Sequence, residues 1–212
     1  MKYYIRLLLI LLTAIHAGEM GAGFNDVNAR QPEDVLIDDR DGRSYKTVKI
    51  GDRVWMAENL NYDAGDGSFC IDDQDIYCEE YGRLYTWEVA KEACPSGWHL
   101  PSDKEWKELE RTVMKDFSCS PGQVGKYLKS GTGWYENGNG TDDYGFSILP
   151  AGYTNSRGGY YRGIKWSAYL WSSGEFDSQM AVFRILFYND DRIITRSYNK
   201  NFGYSVRCIR DR

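Results

Sequence analysis

Histidine is almost missing. The 212-residue chain has two, His16 and His99, and this scarcity removes whole classes of chemistry. Zinc sites built on two or more imidazoles and the HExxH pair have no residues to build them. Any Ser-His-Asp or Cys-His site would have to use His99. Cysteine is also sparse, at five residues, too few for a scaffold held by disulfides alone. No CxxC pair occurs, so thioredoxin-like exchange and a zinc ribbon lack support. Positive charge is in deficit, with 26 basic against 31 acidic residues and a net charge of −5. That argues against broad electrostatic binding to nucleic acid or anionic lipid. There is no G-x-S-x-G, no P-loop, no dinucleotide fingerprint, no internal repeat and no low-complexity run.

What is abundant is glycine and aromatic surface: 22 Gly, 17 Tyr and 7 Trp, with 42% hydrophobic and 27% charged residues. The chain is too apolar for disorder and long enough for one domain with its own core. Such a mixture favours short strands and ordered loops over long helices. Lys2 and Arg6 precede the apolar run Leu7–Ile15, and Ala14 and Ala17 are small. This is the layout of a secretory signal peptide over residues 1–17, too short to span a bilayer. No cysteine follows the run, so a lipoprotein anchor is not offered. Its removal would leave His99 as the sole histidine and place all five cysteines in a disulfide-permissive compartment. The expected location is therefore secreted, periplasmic or cell-envelope. An odd cysteine count leaves at least one thiol unpaired within the chain.

Residues 18–34 read as a linker or arm, and a domain is expected over 35–212. Asp41-Gly42 and Gly51-Asp52 separate β-rich runs at Val35–Ile37, Tyr45–Ile50 and Val54–Met56, which predicts successive antiparallel strands. Residues 61–83 read as irregular. Trp87, Ala90 and Cys94 share one helical face, and Pro95 ends that helix. Ser102 and Glu105 form a capping box ahead of Trp106, Leu109 and Val113, which predicts a second half-buried helix. Residues 118–145 have long-loop composition, with a short helix at 124–128. Strands are expected at 146–149, 166–172, 180–188, 192–198 and 204–210. The fold class is α+β: two helices packed on short antiparallel strands, with a long irregular loop region.

Five segments occur in a telling order: Trp55-Met56-Ala57-Glu58-Asn59-Leu60-Asn61, Cys94-Pro95-Ser96-Gly97-Trp98-His99-Leu100-Pro101-Ser102, Leu149-Pro150-Ala151-Gly152-Tyr153, Trp171-Ser172-Ser173 and Ser205-Val206-Arg207-Cys208. Together they resemble the Fibrobacter succinogenes major paralogous domain, over about Asp38 to Asp211. That family is defined by sequence and implies no agreed activity. More distantly, the order of elements is similar to the C-type lectin-like fold. This second resemblance implies a bridge from the first of the two helices to the last strand, Cys94–Cys208, with Cys70–Cys78 as a local pair and Cys119 left over. A bridge closing so long a loop contributes ~4–5 kcal/mol by chain entropy, less any native strain.

Aromatic rings stack on the apolar faces of sugars, while Asn, Asp and Gly loops supply hydrogen bonds. Trp134, Tyr135, Asn137, Asn139, Asp142, Asp143 and Tyr144 fall in one such loop; Tyr153, Tyr160, Tyr161, Trp166 and Tyr169 form a second cluster. The expected ligand-binding set is Trp134, Tyr135, Asn137, Asn139, Asp142, Asp143, Tyr160 and Tyr161, with Trp55, Trp87, Trp106 and Trp171 assigned to core. The expected function is a non-catalytic binding domain with a polysaccharide or a surface protein as partner. The Glu-Pro-Asn or Gln-Pro-Asp loop and the Trp-Asn-Asp strand of calcium-dependent lectins have no match; Tyr188-Asn189-Asp190 comes nearest. Asp38, Asp39 and Asp41, then Asp72, Asp73 and Asp75, then Asp142 and Asp143 are hard-oxygen clusters without EF-hand spacing. Structural calcium beside Asp142 is the one cation they suggest, and no catalytic residue, metal ligand or other cofactor is expected. Leu100-Pro101-Ser102 with Glu105-Trp106 is similar to a motif of formylglycine-generating enzymes, whose chemistry uses a C-terminal cysteine pair; here Cys208 stands alone.

Overall fold

A computed structural model describes residues 35–155 and 159–212. The expected signal peptide and the arm over 18–34 lie outside these residues. Two five-stranded sheets organise the chain. In the first, β1 (Val35–Ile37), β2 (Ser44–Ile50) and β3 (Arg53–Met56) form an antiparallel meander. The turn residues do what their type requires: Gly42 sits at φ 73° and Gly51 at φ 60°, conformations that cost glycine little. A two-residue pair, β4 (Ser68–Phe69) with β5 (Leu84–Tyr85), follows. The first sheet is completed by β6 (Trp98–His99) and the last strand, β12 (Ile209–Arg210), in the order β1-β2-β3-β12-β6.

The second sheet holds β7 (Ala151–Thr154), β8 (Tyr161–Ile164), β9 (Ser167–Glu175), β10 (Met180–Phe187) and β11 (Asp190–Asn199), ordered β11-β10-β9-β7-β8. Only the β7–β9 pairing is parallel. Strands β7 and β8 lie outside the strands expected from the sequence. Gly152 is the point of closest strand approach: a Cβ there would lie 2.1 Å from the Arg162 carbonyl oxygen. Two other strand expectations need correction. Of 146–149, only Ile148 makes a bridge, to Lys129. Of 204–210, only β12 is a strand, because Arg207 turns inward to bond carbonyls rather than extending a ladder.

Four helices pack on this framework. The segment expected to be irregular contains α1 (Asp75–Tyr81), which buries Cys78 and Tyr81. Thr86 precedes α2 (Trp87–Glu92), and Ser102 caps α3 (Asp103–Phe117) with the full reciprocal box to Glu105. That cap is worth ~1 kcal/mol, and the buried Trp106, Leu109 and Val113 add ~1.5–3 kcal/mol each. The fourth helix is α4 (Val124–Leu128). Two large core clusters result. One centres on Trp55, Trp106, Phe146 and Leu128, the other on Trp87, Trp171, Phe183, Tyr204 and Leu100. The class is α+β, as expected, with four α-helices among the described residues rather than two. The sulfurs of Cys94 and Cys208 are 2.04 Å apart and those of Cys70 and Cys78 2.06 Å apart, the pairings that the resemblance implies. Cys119 is unbonded and half-buried against the first core cluster.

Candidate functional site

The residues expected to form one binding loop are divided by the fold. Trp134 is 5% exposed, and its indole N–H donates to the Ser130 hydroxyl and the Ile148 carbonyl at 3.1 and 3.2 Å. The Lys129 ammonium lies 5.2 Å from its ring centre. A ring enclosed in this way has no face left for a sugar, so Trp134 is a core residue. Asn139 accepts the Trp134 backbone N–H at 3.0 Å, which ties the loop to itself. Asp142 accepts the Ser147 backbone N–H at 2.7 Å and the Ser147 hydroxyl. Burial pushes its carboxyl above the ordinary aspartate value, against those two bonds and the nearby Arg207. Asp143 accepts from the Thr141 hydroxyl, and Tyr144 is buried with its hydroxyl donating to Asp116 at 2.7 Å. Among the described residues no group of three or more His, Cys, Asp or Glu stands close enough to hold a metal ion.

Tyr161 opens β8 and Tyr160 precedes it, at the end of the strand away from Trp166. The Tyr161 hydroxyl donates to Asp73 at 3.0 Å, and burial followed by that carboxylate pushes the phenol up. Tyr160 is exposed beneath the Arg162 guanidinium, 4.6 Å from its ring centre. Neither joins the loop residues.

What the fold does bring together is Tyr135, Trp166 and Tyr188. The Tyr135 and Trp166 rings stack with centroids 4.2 Å apart and planes 14° from parallel. Tyr188 meets both edge-on, at 5.4 and 5.1 Å. Tyr135 is 37% exposed and Trp166 47%, the highest of the seven tryptophans. Backbone bonds hold the three in place: Tyr135 N–H donates to the Lys165 carbonyl at 2.8 Å and Tyr188 N–H to the Trp166 carbonyl at 2.9 Å. The tip beside Tyr135 is a tight turn, with Glu136 and Asn137 at φ 45° and 61°. Gly138 lets this turn lie against the meander, since a Cβ there would be 2.1 Å from the Tyr188 carbonyl oxygen. Glu136, Asn137, Lys165 and Asn189 are exposed around the rings. The result is an exposed apolar surface, braced by ring contacts and backbone hydrogen bonds, with polar groups at its rim.

The sequence model of the Fibrobacter succinogenes major domain matches residues 48–210. The chain belongs to that family. The matched span of the major domain takes in the aromatic patch, both disulfides and the greater part of each sheet. Comparison with curated proteins and with solved structures returned no match.

His99 occupies a charged network at the edge of this domain rather than a packed strand interior. Its Nδ1 lies 2.5 Å from Asp211 and its Nε2 3.0 Å from Glu105, whose carboxylate also pairs with Arg53. Burial works to raise Glu105, but the Ser102 N–H and hydroxyl and the His99 ring outweigh it and hold the carboxyl below its ordinary value. Ser102 donates its hydroxyl to Glu105 at 2.8 Å, not to the imidazole. Cys208 is bonded to Cys94, so it carries no free thiol. Of the three rings only Tyr135 is in the expected binding set; Trp166 stands in the second aromatic cluster, and Tyr188 is noted only within Tyr188-Asn189-Asp190. Its signal lay in the register: Phe187 pairs with Ser167 across β9 and β10, so the next residue outward on each strand meets the other.

Proposed function

We propose that this domain is a non-catalytic binding module for carbohydrate, with Trp166 and Tyr135 as its stacking rings. The exposed Tyr135–Trp166 stack braced by Tyr188 carries the reading. Pre-ordered rings lose little freedom on binding, and their carbon faces match those of pyranose sugars. Asn137, Asn189, Glu136 and Lys165 supply hydrogen bonds at the rim. We further read the domain as C-type lectin-like and exported. The bridge between the end of α2 and the last strands supports the first, and two disulfides with no helix among the described residues long and apolar enough to cross a membrane are compatible with the second.

The test is retention on a glycan array and on insoluble polysaccharides. Trp166→Ala should weaken retention at least tenfold while leaving thermal stability nearly unchanged. Trp134→Ala should instead destabilise the fold by ~3–5 kcal/mol, as a buried tryptophan does. A folded protein that no glycan retains overturns the proposal.

A further inference from the structure

We propose that a second site, the groove between the β2–β3 turn and the C-terminal half of α3, binds an acidic sugar. The groove encloses about 740 Å³, within the size range of small-ligand sites, and shares no residue with the aromatic patch. Lys49, Arg111 and Lys115 line it, all exposed and none in an ion pair among the described residues. Arg111 and Lys115 are one turn apart on α3 and so share a face, while Lys49 comes from β2. Three unpaired cations around one concavity stand out in a chain whose net charge is −5.

Two groove-lining residues carry buried donors without acceptors. Trp55 Nε1 and Arg53 Nε, both on groove-lining residues, have no hydrogen-bond partner among the described residues. Each can only donate, so a ligand that reaches either must bring an acceptor such as a carboxylate or sulfate oxygen. Asp52, Glu108 and Asp116 line the same groove and can only accept when ionised. A simple anion would offer those carboxylates no donor. A uronic or sulfated sugar carries both parts: anionic oxygens for the cations and hydroxyl donors for the carboxylates.

Calorimetric titration of the full chain at low ionic strength tests this with four probes: a galacturonate oligosaccharide, a sulfated oligosaccharide, a neutral oligosaccharide of equal length, and an oligoglutamate. At least one acidic sugar should bind, with the neutral sugar and the oligoglutamate at least tenfold weaker, and the tighter acidic arm identifies the anionic group. The double variant Arg111→Gln, Lys115→Gln changes only exposed side chains, so it should fold normally and lose at least tenfold in affinity. Trp166→Ala should bind the acidic sugar as the unaltered chain does. Three results overturn the proposal: no acidic sugar binds, the double variant binds undiminished, or the neutral sugar or oligoglutamate binds equally well. Loss of binding in Trp166→Ala would place the ligand on the aromatic patch and overturn it too, without touching the proposal for that patch.

Discussion

The loop over residues 130–149 and the β9–β10–β11 meander deliver rings to the same patch by opposite means. The meander positions Trp166 and Tyr188 at the end of a long ladder, with six or more backbone pairings on each side of β10 and one register shift on each side. The loop positions Tyr135 with hardly any ladder. Its order comes from a few polar anchors. The buried Arg207 guanidinium donates to the carbonyls of Phe146 and Ser147 and to Asn59 Oδ1. Lys129, also buried, pairs with Asp191 at 3.1 Å, and Asp142 and Asn139 close the loop on itself. A ladder distributes its order over many weak bonds, whereas the loop concentrates it in single residues. The loop should therefore be the part that one substitution can release.

The largest effect is expected from the bridge next to the main anchor. Cys94–Cys208 spans 114 residues and sits beside Arg207. Replacing both cysteines by alanine should cost about 4–5 kcal/mol. Hydrogen exchange in that variant should show the amides of 140–148 losing protection before those of β9 and β10. Simultaneous loss in both regions would break the contrast. Losing Cys70–Cys78, which spans 8 residues, should cost only about 2–3 kcal/mol on the same entropic argument.

Next come the two buried arginines, Arg207 anchoring the loop from outside it and Arg184 within the meander. Arg207→Met leaves three carbonyls and an amide oxygen without their donor inside the protein, and should cost about 3–5 kcal/mol in urea denaturation. Burial also lowers the pKa of this guanidinium to about 9, against the pull of Asp142 and Glu58. Arg184 pairs instead with the carboxylates of Asp103 and Glu110. Both are partly open to water and can rehydrate, so Arg184→Met should cost only about 1–3 kcal/mol. Equal costs would mean the loop is no more dependent on its anchor than the meander.

A smaller effect, but one read directly at the patch, is expected from glycine substitutions in the loop. Gly138→Ala forces a Cβ into the Tyr188 carbonyl, at about 1–3 kcal/mol. It should lift Tyr135 from Trp166 and reduce glycan retention with it. Gly131→Ala meets nothing within 4 Å and should change stability by less than about 0.5 kcal/mol.

How far these features could be read from the sequence follows the range of the forces behind them. The Ser102–Glu105 box is settled within four residues and is legible there. So are the turns at Gly42 and Gly51. Trp134 and Tyr135 are adjacent and of similar composition, yet one is core and the other surface. Ser130 and Ile148 decide that difference, and no local pattern marks them as partners for an indole. Arg207 is hidden for a related reason, because a charged residue reads as surface until the carbonyls that surround it are known. Strand β7 was masked by Pro150 and Gly152, whose turn-like character here serves a tight strand approach. The disulfide pairings were not readable from cysteine spacing; they came with the resemblance.

The most delicate test uses pH, since the loop and the Ser102 cap titrate in opposite senses. Asp142 has its folded pKa raised above the ordinary 3.8 by burial. Between those two values the native state keeps a proton that the unfolded chain has released, so stability falls as pH rises through the folded value. Its contribution is fully present below the unfolded value and lost above the folded one. Glu105 is held below its ordinary 4.5, so its contribution is present above the unfolded value and lost as pH falls through the folded one. Asp142→Asn keeps an acceptor for the Ser147 N–H and mimics the protonated acid. It should therefore gain stability relative to the unaltered chain as pH rises above about 4, by less than about 1 kcal/mol because the site is partly open to solvent. Glu105→Gln should do the reverse, being least stable relative to the unaltered chain near neutrality and converging with it in acid. Urea midpoints measured across this range separate the two. Parallel profiles would show that the loop carboxylate is solvated like any other, and that Arg207, not Asp142, carries the order of the loop.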